Sequence, residues 1–192
     1  MRFFLTCAVI SLFSFATFAN AGENTYSEEP FTAKVQNIRL QSLLIAQGKK
    51  NEDLVTTQAR VKLFKPSVNI DDVRQASISD IEEVNFLIEY TKANINGEVE
   101  KILSFWAPEE RTIIKERLSN AEMLGRSKAY FENNPGLSVL GVVDQGETQA
   151  ILQRRGAMVL GVNIIKSDNK IHLTNKPADD LELAIIEASF VQ

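Results

Sequence analysis

The chain opens with Met1-Arg2 and then runs from Phe3 to Phe18 with only Thr6, Ser11, Ser14 and Thr17 breaking an apolar stretch, which ends at Ala19-Asn20-Ala21. A basic residue, an apolar run and small residues two apart make the pattern of a secretory leader cut between Ala21 and Gly22. The run is 16 residues long, short of the ~20 needed to span a bilayer, and no stop-transfer cluster follows it. Cleavage would remove Cys7, the only cysteine. The mature chain could then form no disulfide and must hold itself together by burying apolar surface. About 170 residues suffice for one ordinary core.

Charge narrows the partners. Loss of Arg2 from 21 basic residues, against 25 acidic ones, leaves an acidic excess of 5. With no basic stripe, this argues against nucleic acid or an anionic membrane surface as ligand. No Asn-x-Ser/Thr sequon occurs, which together with the short leader fits a Gram-negative periplasm better than a eukaryotic secretory route. The expected location is periplasmic or secreted, with no stable membrane insertion after cleavage.

Residues 22–31 are acidic and polar and read as a solvated tether. In residues 32–66, Val35, Ile38, Leu40, Leu43 and Ile45 form a β-compatible run, residues 47–53 a loop, and Ala59, Val61 and Leu63 alternate with polar neighbours. The pattern predicts a long β-hairpin ended by Lys65-Pro66. Ser79-Asp80-Ile81-Glu82 has the spacing of a capping box and opens a helix carrying Ile81, Val84, Leu87, Ile88 and Ile95. Asn96-Gly97 breaks that helix, and Val99, Ile102, Leu103 and Trp106 give a short second one. Pro108 followed by Glu109 and Glu110 starts a third, running to Asn133-Asn134-Pro135-Gly136. Short aliphatic runs from Val139 to Thr174, punctuated by turns, predict an antiparallel meander. In the last segment Leu181, Leu183 and Ile185 alternate as in a strand, although Leu181, Ala184, Ile185 and Ala188 also suit a helix; strand is the favoured reading.

The stretch Phe86, Tyr90, Ala93, Asn96-Gly97-Glu98-Val99-Glu100-Lys101-Ile102-Leu103, Phe105-Trp106 and Pro108-Glu109-Glu110-Arg111 resembles the opening helices of the NTF2-like, or cystatin-like, superfamily. The resemblance covers roughly Ser79 to Thr174 and implies an α+β domain over residues 77–192: three N-terminal helices packed on a curved antiparallel sheet, preceded here by the extra hairpin. Two features depart from the family pattern, since Pro108 joins the second and third helices without intervening strands and the hairpin lies outside the usual core.

Few residues carry obvious chemistry. His172 is the only histidine; in NTF2-like dehydratases and isomerases His, Asp or Tyr act as acid and base, so His172 with a carboxylate such as Asp144 is the one catalytic pairing the resemblance suggests. With no second histidine and no mature cysteine, imidazole or thiolate metal sites are not expected, and no cofactor is implied. Arg154-Arg155 lie on a strand, where neighbours point to opposite faces; one of them would point inward and could hold an anion. Trp106 could wall a pocket or fill the core. Three readings follow: a non-enzymatic module binding a small amphipathic ligand or a protein; an isomerase or dehydratase using His172; and an envelope assembly role in which the hairpin lends a strand edge to a partner. The partners expected are a small ligand, an envelope protein or a second copy of the chain.

Overall fold

A computed structural model describes residues 25–36, 38–49, 53–176 and 180–191. The predicted leader and its cleavage site at Ala21 and Gly22 lie outside these. The fold is α+β: six antiparallel strands in the simple order β1-β2-β3-β4-β5-β6, with six helices on the two faces of the sheet. The strands are β1 (Ser27–Lys34), β2 (Leu54–Ile70), β3 (Leu137–Asp144), β4 (Gln149–Arg155), β5 (Met158–Ser167) and β6 (Lys170–Leu173). One helix, α1 (Ile38–Ala46), lies between β1 and β2; α2 (Glu82–Asn96), α3 (Val99–Ser104), α4 (Arg111–Ser119) and α5 (Ala121–Asn133) lie between β2 and β3; α6 (Asp180–Ser189) follows β6.

Both faces of the sheet are covered. Phe31, Ala33, Val61, Val143, Ala150 and Leu152 face α1 and α6, while Val139, Val142, Ile151, Ile164, Ile171 and Leu173 face α2. Burial on both sides explains why Val139 to Val143 is apolar throughout instead of alternating. The N-terminal strand pair is continuous with the rest, because β2 is hydrogen-bonded to β3.

Several expectations need correction. Residues 27–31 belong to β1 and are not a tether; Phe31 is buried beneath α6. Within the expected hairpin the two strands do pair, yet the run from Ile38 to Ile45 is helical. Leu40 and Leu44, four apart, bury one face of α1, and that spacing overrides the apparent alternation. Pro66 does not end β2, which continues to Ile70; the register shifts between Leu63 and Val68, so the missing N–H falls in an irregularity and not in a ladder. The last segment is helix, not strand. Leu181, Leu183, Ala184, Ile185, Ile186 and Ala188 are all buried in α6, and a helix sunk in a core is apolar over most of its circumference, which blurs its period.

The helix signals are met in altered form. Ser79 Oγ accepts from Ile81 N at 3.1 Å, and Asn85, in place of Glu82, reaches back: its Oδ1 accepts from Ser79 N at 2.6 Å and its Nδ2 donates to Ser79 O. The expected third helix is two. Asn120 ends α4 and caps α5, its Oδ1 accepting from Glu122 N and Met123 N. None of the residues of α5 is fully buried.

The two rims of the sheet differ. Trp106 bridges Leu173 in parallel, with Leu173 N donating to Phe105 O at 2.7 Å and Ala107 N to Leu173 O at 3.0 Å, which covers the outer edge of β6. Strand β6 pairs only with Ile164–Ser167, so Met158–Asn163 of β5 extend past it. There Glu187 of α6 accepts from Gly161 N at 2.7 Å, and Thr174 N donates to Asn163 O. At the other rim, β1 carries Pro30 among charged neighbours.

Candidate functional site

Where β2 leaves the sheet, Asp72 caps a 3-10 turn (Val73–Gln75), accepting from Arg74 N at 2.9 Å and from the Arg74 guanidinium. That pairing holds the Asp72 carboxyl below the usual carboxylate range. Val73 is fully buried and its N–H donates to Pro135 O at 3.1 Å, pinning the turn to the end of α5. The chain then crosses α2 as a strap, tied by Lys92 Nζ to Ala76 O at 3.2 Å, with Ile78 91% exposed.

The strap stands between two depressions. One, about 400 Å³, is lined by the apolar Val68, Ile70 and Ile78 and by the polar Asn69, Asp72 and Gln75; the other, about 340 Å³, lies on its far side along Asn85, Glu89 and Lys92. A third, about 520 Å³, continues from Ile70 and Asp71 past Pro135 and Gly136 to Arg154 and Gly156. The three adjoin around the end of the sheet, the first two sharing Ala76, Ser77 and Ile78 and the first and third sharing Asn69, Ile70 and Asp71, and together form an interrupted groove. Their sizes lie in the range of small-molecule sites.

Strand alternation splits the two arginines as expected. Arg154 reaches the groove and donates to Phe190 O at 2.9 Å. Arg155 points inward and is 3% exposed. It holds no groove ligand; its guanidinium donates to Thr91 Oγ1 on α2, to Asn134 O at 3.1 Å and to Gln153 Oε1 at 3.2 Å, and lies over the Phe131 ring at 5.1 Å. Among the described residues it has no carboxylate partner, and burial lowers its proton affinity. It joins β4 to α2 and α5.

The structure separates the suggested acid-base pair. Asp144 faces the α2 side, where Arg60 meets it at 3.3 Å. His172 lies between Ile171 and Leu173, which face α2, so its side chain points the other way. Three strand spacings, roughly 14 Å, also lie between them. His172 is buried, and its Nδ1 has no hydrogen-bond partner among the described residues. Trp106 packs with the α2-side core at the rim of β6, away from the groove.

Two polar clusters were not legible as such. Glu110, read as a first-turn charge, is buried and accepts from Thr174 Oγ1 at 2.6 Å and from Asn175 N and Nδ2 at 2.8 and 2.6 Å. Glu83 is buried at the start of α2, with Lys62 Nζ at 3.0 Å and Lys166 Nζ at 3.4 Å. Tyr26 lies beside them, its ring under Arg60 and Lys62 and its hydroxyl accepting from Gln149 Nε2. Burial alone would raise the Glu83 carboxyl, but the Lys62 hydrogen bond and the two ammonium charges outweigh it and hold it below the ordinary glutamate range. A depressed carboxyl stabilises the fold above its unfolded value and stops doing so as pH falls through the folded one. Wild-type protein should therefore lose stability from about pH 5 to pH 3 more steeply than Glu83→Gln, and Glu83→Gln should be less stable at pH 7 by about 2 kcal/mol, read from urea midpoints.

Among the described residues no helix is long and apolar enough to cross a membrane, and no group of three or more His, Cys, Asp or Glu side chains is placed to hold a metal ion. Comparison with protein-family models, with curated proteins and with solved structures returns no match.

Proposed function

We propose that the chain is an exported, non-enzymatic binding module of NTF2-like type, and that its ligand is a small amphipathic molecule lying in the groove around the end of β2. The observation that carries this reading is the groove itself, where the apolar side chains of Val68, Ile70 and Ile78 lie beside the polar ones of Asn69, Asp72 and Gln75, a mixed lining that suits an amphipathic ligand. The leader pattern supports export. Four helices followed by a four-stranded antiparallel meander support the NTF2-like comparison, while the second helical layer of α1 and α6 is an addition to that pattern.

The alternatives have less behind them. A His172–Asp144 enzyme would need the two groups on one face, and they lie on opposite faces. Assembly through β1 would use a rim strand, but Pro30 removes a donor from it.

The test is titration of residues 22–192 with decanoate and with decylammonium, followed by backbone amide shifts. Binding of either amphiphile should move amides in residues 68–79 and 84–92, and Ile78→Asp should weaken it by about tenfold or more, since a charge would replace the exposed apolar side chain that lines both depressions. Shifts confined to other regions, or none at millimolar amphiphile, would overturn the assignment.

A further inference from the structure

Helix α1 buries Leu40 and Leu44 and packs the half-buried Leu43 against the same core, leaving Ile38 and Ile45 exposed on its outer side. Its one ion pair among the described residues joins Arg39 Nη1 to Glu187 Oε2 at 2.6 Å, and the other oxygen of Glu187 accepts from Gly161 N. Glu187 is 6% exposed, so its charge has little water to fall back on, whereas Arg39 is half exposed.

We infer that Arg39, Glu187 and Gly161 form an acid-sensitive clamp, and that neutralising Glu187 loosens α1 while leaving α6 seated on the sheet. The protonated acid still fits its site, because the Gly161 N–H keeps an acceptor and the buried position no longer holds a charge. What disappears is the attraction for Arg39. Strands β1 and β2 pair with each other directly from Ser27↔Val61 to Lys34↔Leu54, so their register does not run through α1.

On α1 the only charged residue is Arg39; on α6 Asp180 acts on Glu187, and Glu182 is the other charge; from β4 Arg154 donates to Phe190 O just past α6, and from β6 His172 points to the same side of the sheet. From β1, Glu29 lies on the covered face with Phe31 and Ala33. The β2 residues Val55, Thr57, Ala59 and Val61 and the β5 residues Val159, Gly161, Asn163 and Ile165, which share that face, carry no titratable group. Burial, reinforced by Asp180, pushes the Glu187 carboxyl above the ordinary glutamate value despite Gly161 N–H and Arg39. A raised carboxyl keeps its proton better in the folded chain than in the unfolded one, so its own contribution to global stability grows as pH falls. Loosening of α1 in acid would therefore occur without global unfolding.

Hydrogen exchange of residues 22–192 at pH 7.5 and pH 5, corrected for intrinsic rates, tests the clamp. In wild type, α1 amides should exchange about three- to tenfold faster, relative to β3 and β4, at the lower pH, the scale of one half-exposed charge-assisted hydrogen bond. Glu187→Gln should exchange fast at both pH values, since Gln still accepts from Gly161 but cannot pair with Arg39. Arg39→Gln, on the surface, should do the same and decides the matter if Glu187→Gln disturbs β3 and β4. An α1 indifferent to pH in wild type, or a pH response that persists in Arg39→Gln, overturns the inference.

Discussion

Gly141→Ala should lower stability by about 3 kcal/mol, the scale of overpacking at a site that cannot yield. Gly141 lies in β3 opposite Leu63 of β2, and a methyl group there would meet Lys62 O at 2.5 Å and Leu63 Cα at 3.0 Å. Both are backbone atoms of the neighbouring strand, so no side-chain rotation relieves the clash. The strands must part, and the ladder joining the N-terminal pair to the meander runs through that point. For a chain of this size the loss corresponds to a melting temperature lower by about 6–12 °C. Gly125→Ala is the control: nothing lies within 4 Å of the added carbon and the site is helical, so it should be neutral or stabilising by up to about 1 kcal/mol. Equal melting of Gly141→Ala and wild type in calorimetry would show that β2 and β3 do not approach as described.

The second large effect is expected at Arg155. Arg155→Ala leaves a cavity and takes the donors away from Thr91 Oγ1, Gln153 Oε1 and Asn134 O, two of which are buried side-chain acceptors. The loss should be about 3–4 kcal/mol, combining unsatisfied acceptors with an unfilled volume. Arg155→Lys should recover only part of it, because one ammonium cannot span three partners set around a planar fork or stack on the Phe131 ring in the same way. Urea unfolding orders the three proteins. Should Arg155→Lys match wild type, the guanidinium geometry is irrelevant; should Arg155→Ala match it, α2 and α5 are held to β4 by other means.

Local signals in the sequence reported local structure well. The meander from Leu137 to Leu173 followed from turn residues between aliphatic runs, and the break at Asn96-Gly97 followed from glycine, which adopts φ 69° at the end of α2. Signals failed where tertiary burial set the pattern. The α1 segment has apolar residues at both two- and four-residue spacing, and only its docking through Leu40 and Leu44 chooses between them. In α6 nearly every position is buried, so no period remains to read. The groove was illegible for another reason: Val68, Val84, Pro135 and Arg154 are distant in sequence and meet only because four helices are inserted between adjacent strands. Alternation did show that one of Arg154 and Arg155 turns inward, but not that the inward one is consumed by internal partners.

The way the two rims of the sheet end has a consequence for how the protein behaves in a crowd. A bare strand edge is a template on which further chains can add, one after another, into fibres. Here each route to such growth meets an obstacle: a parallel bridge at Trp106, a carboxylate on Gly161, a ring nitrogen without hydrogen at Pro30. Growth from the β5–β6 rim would first require the Trp106 segment or α6 to come away, whereas at β1 only the proline interrupts the row of donors.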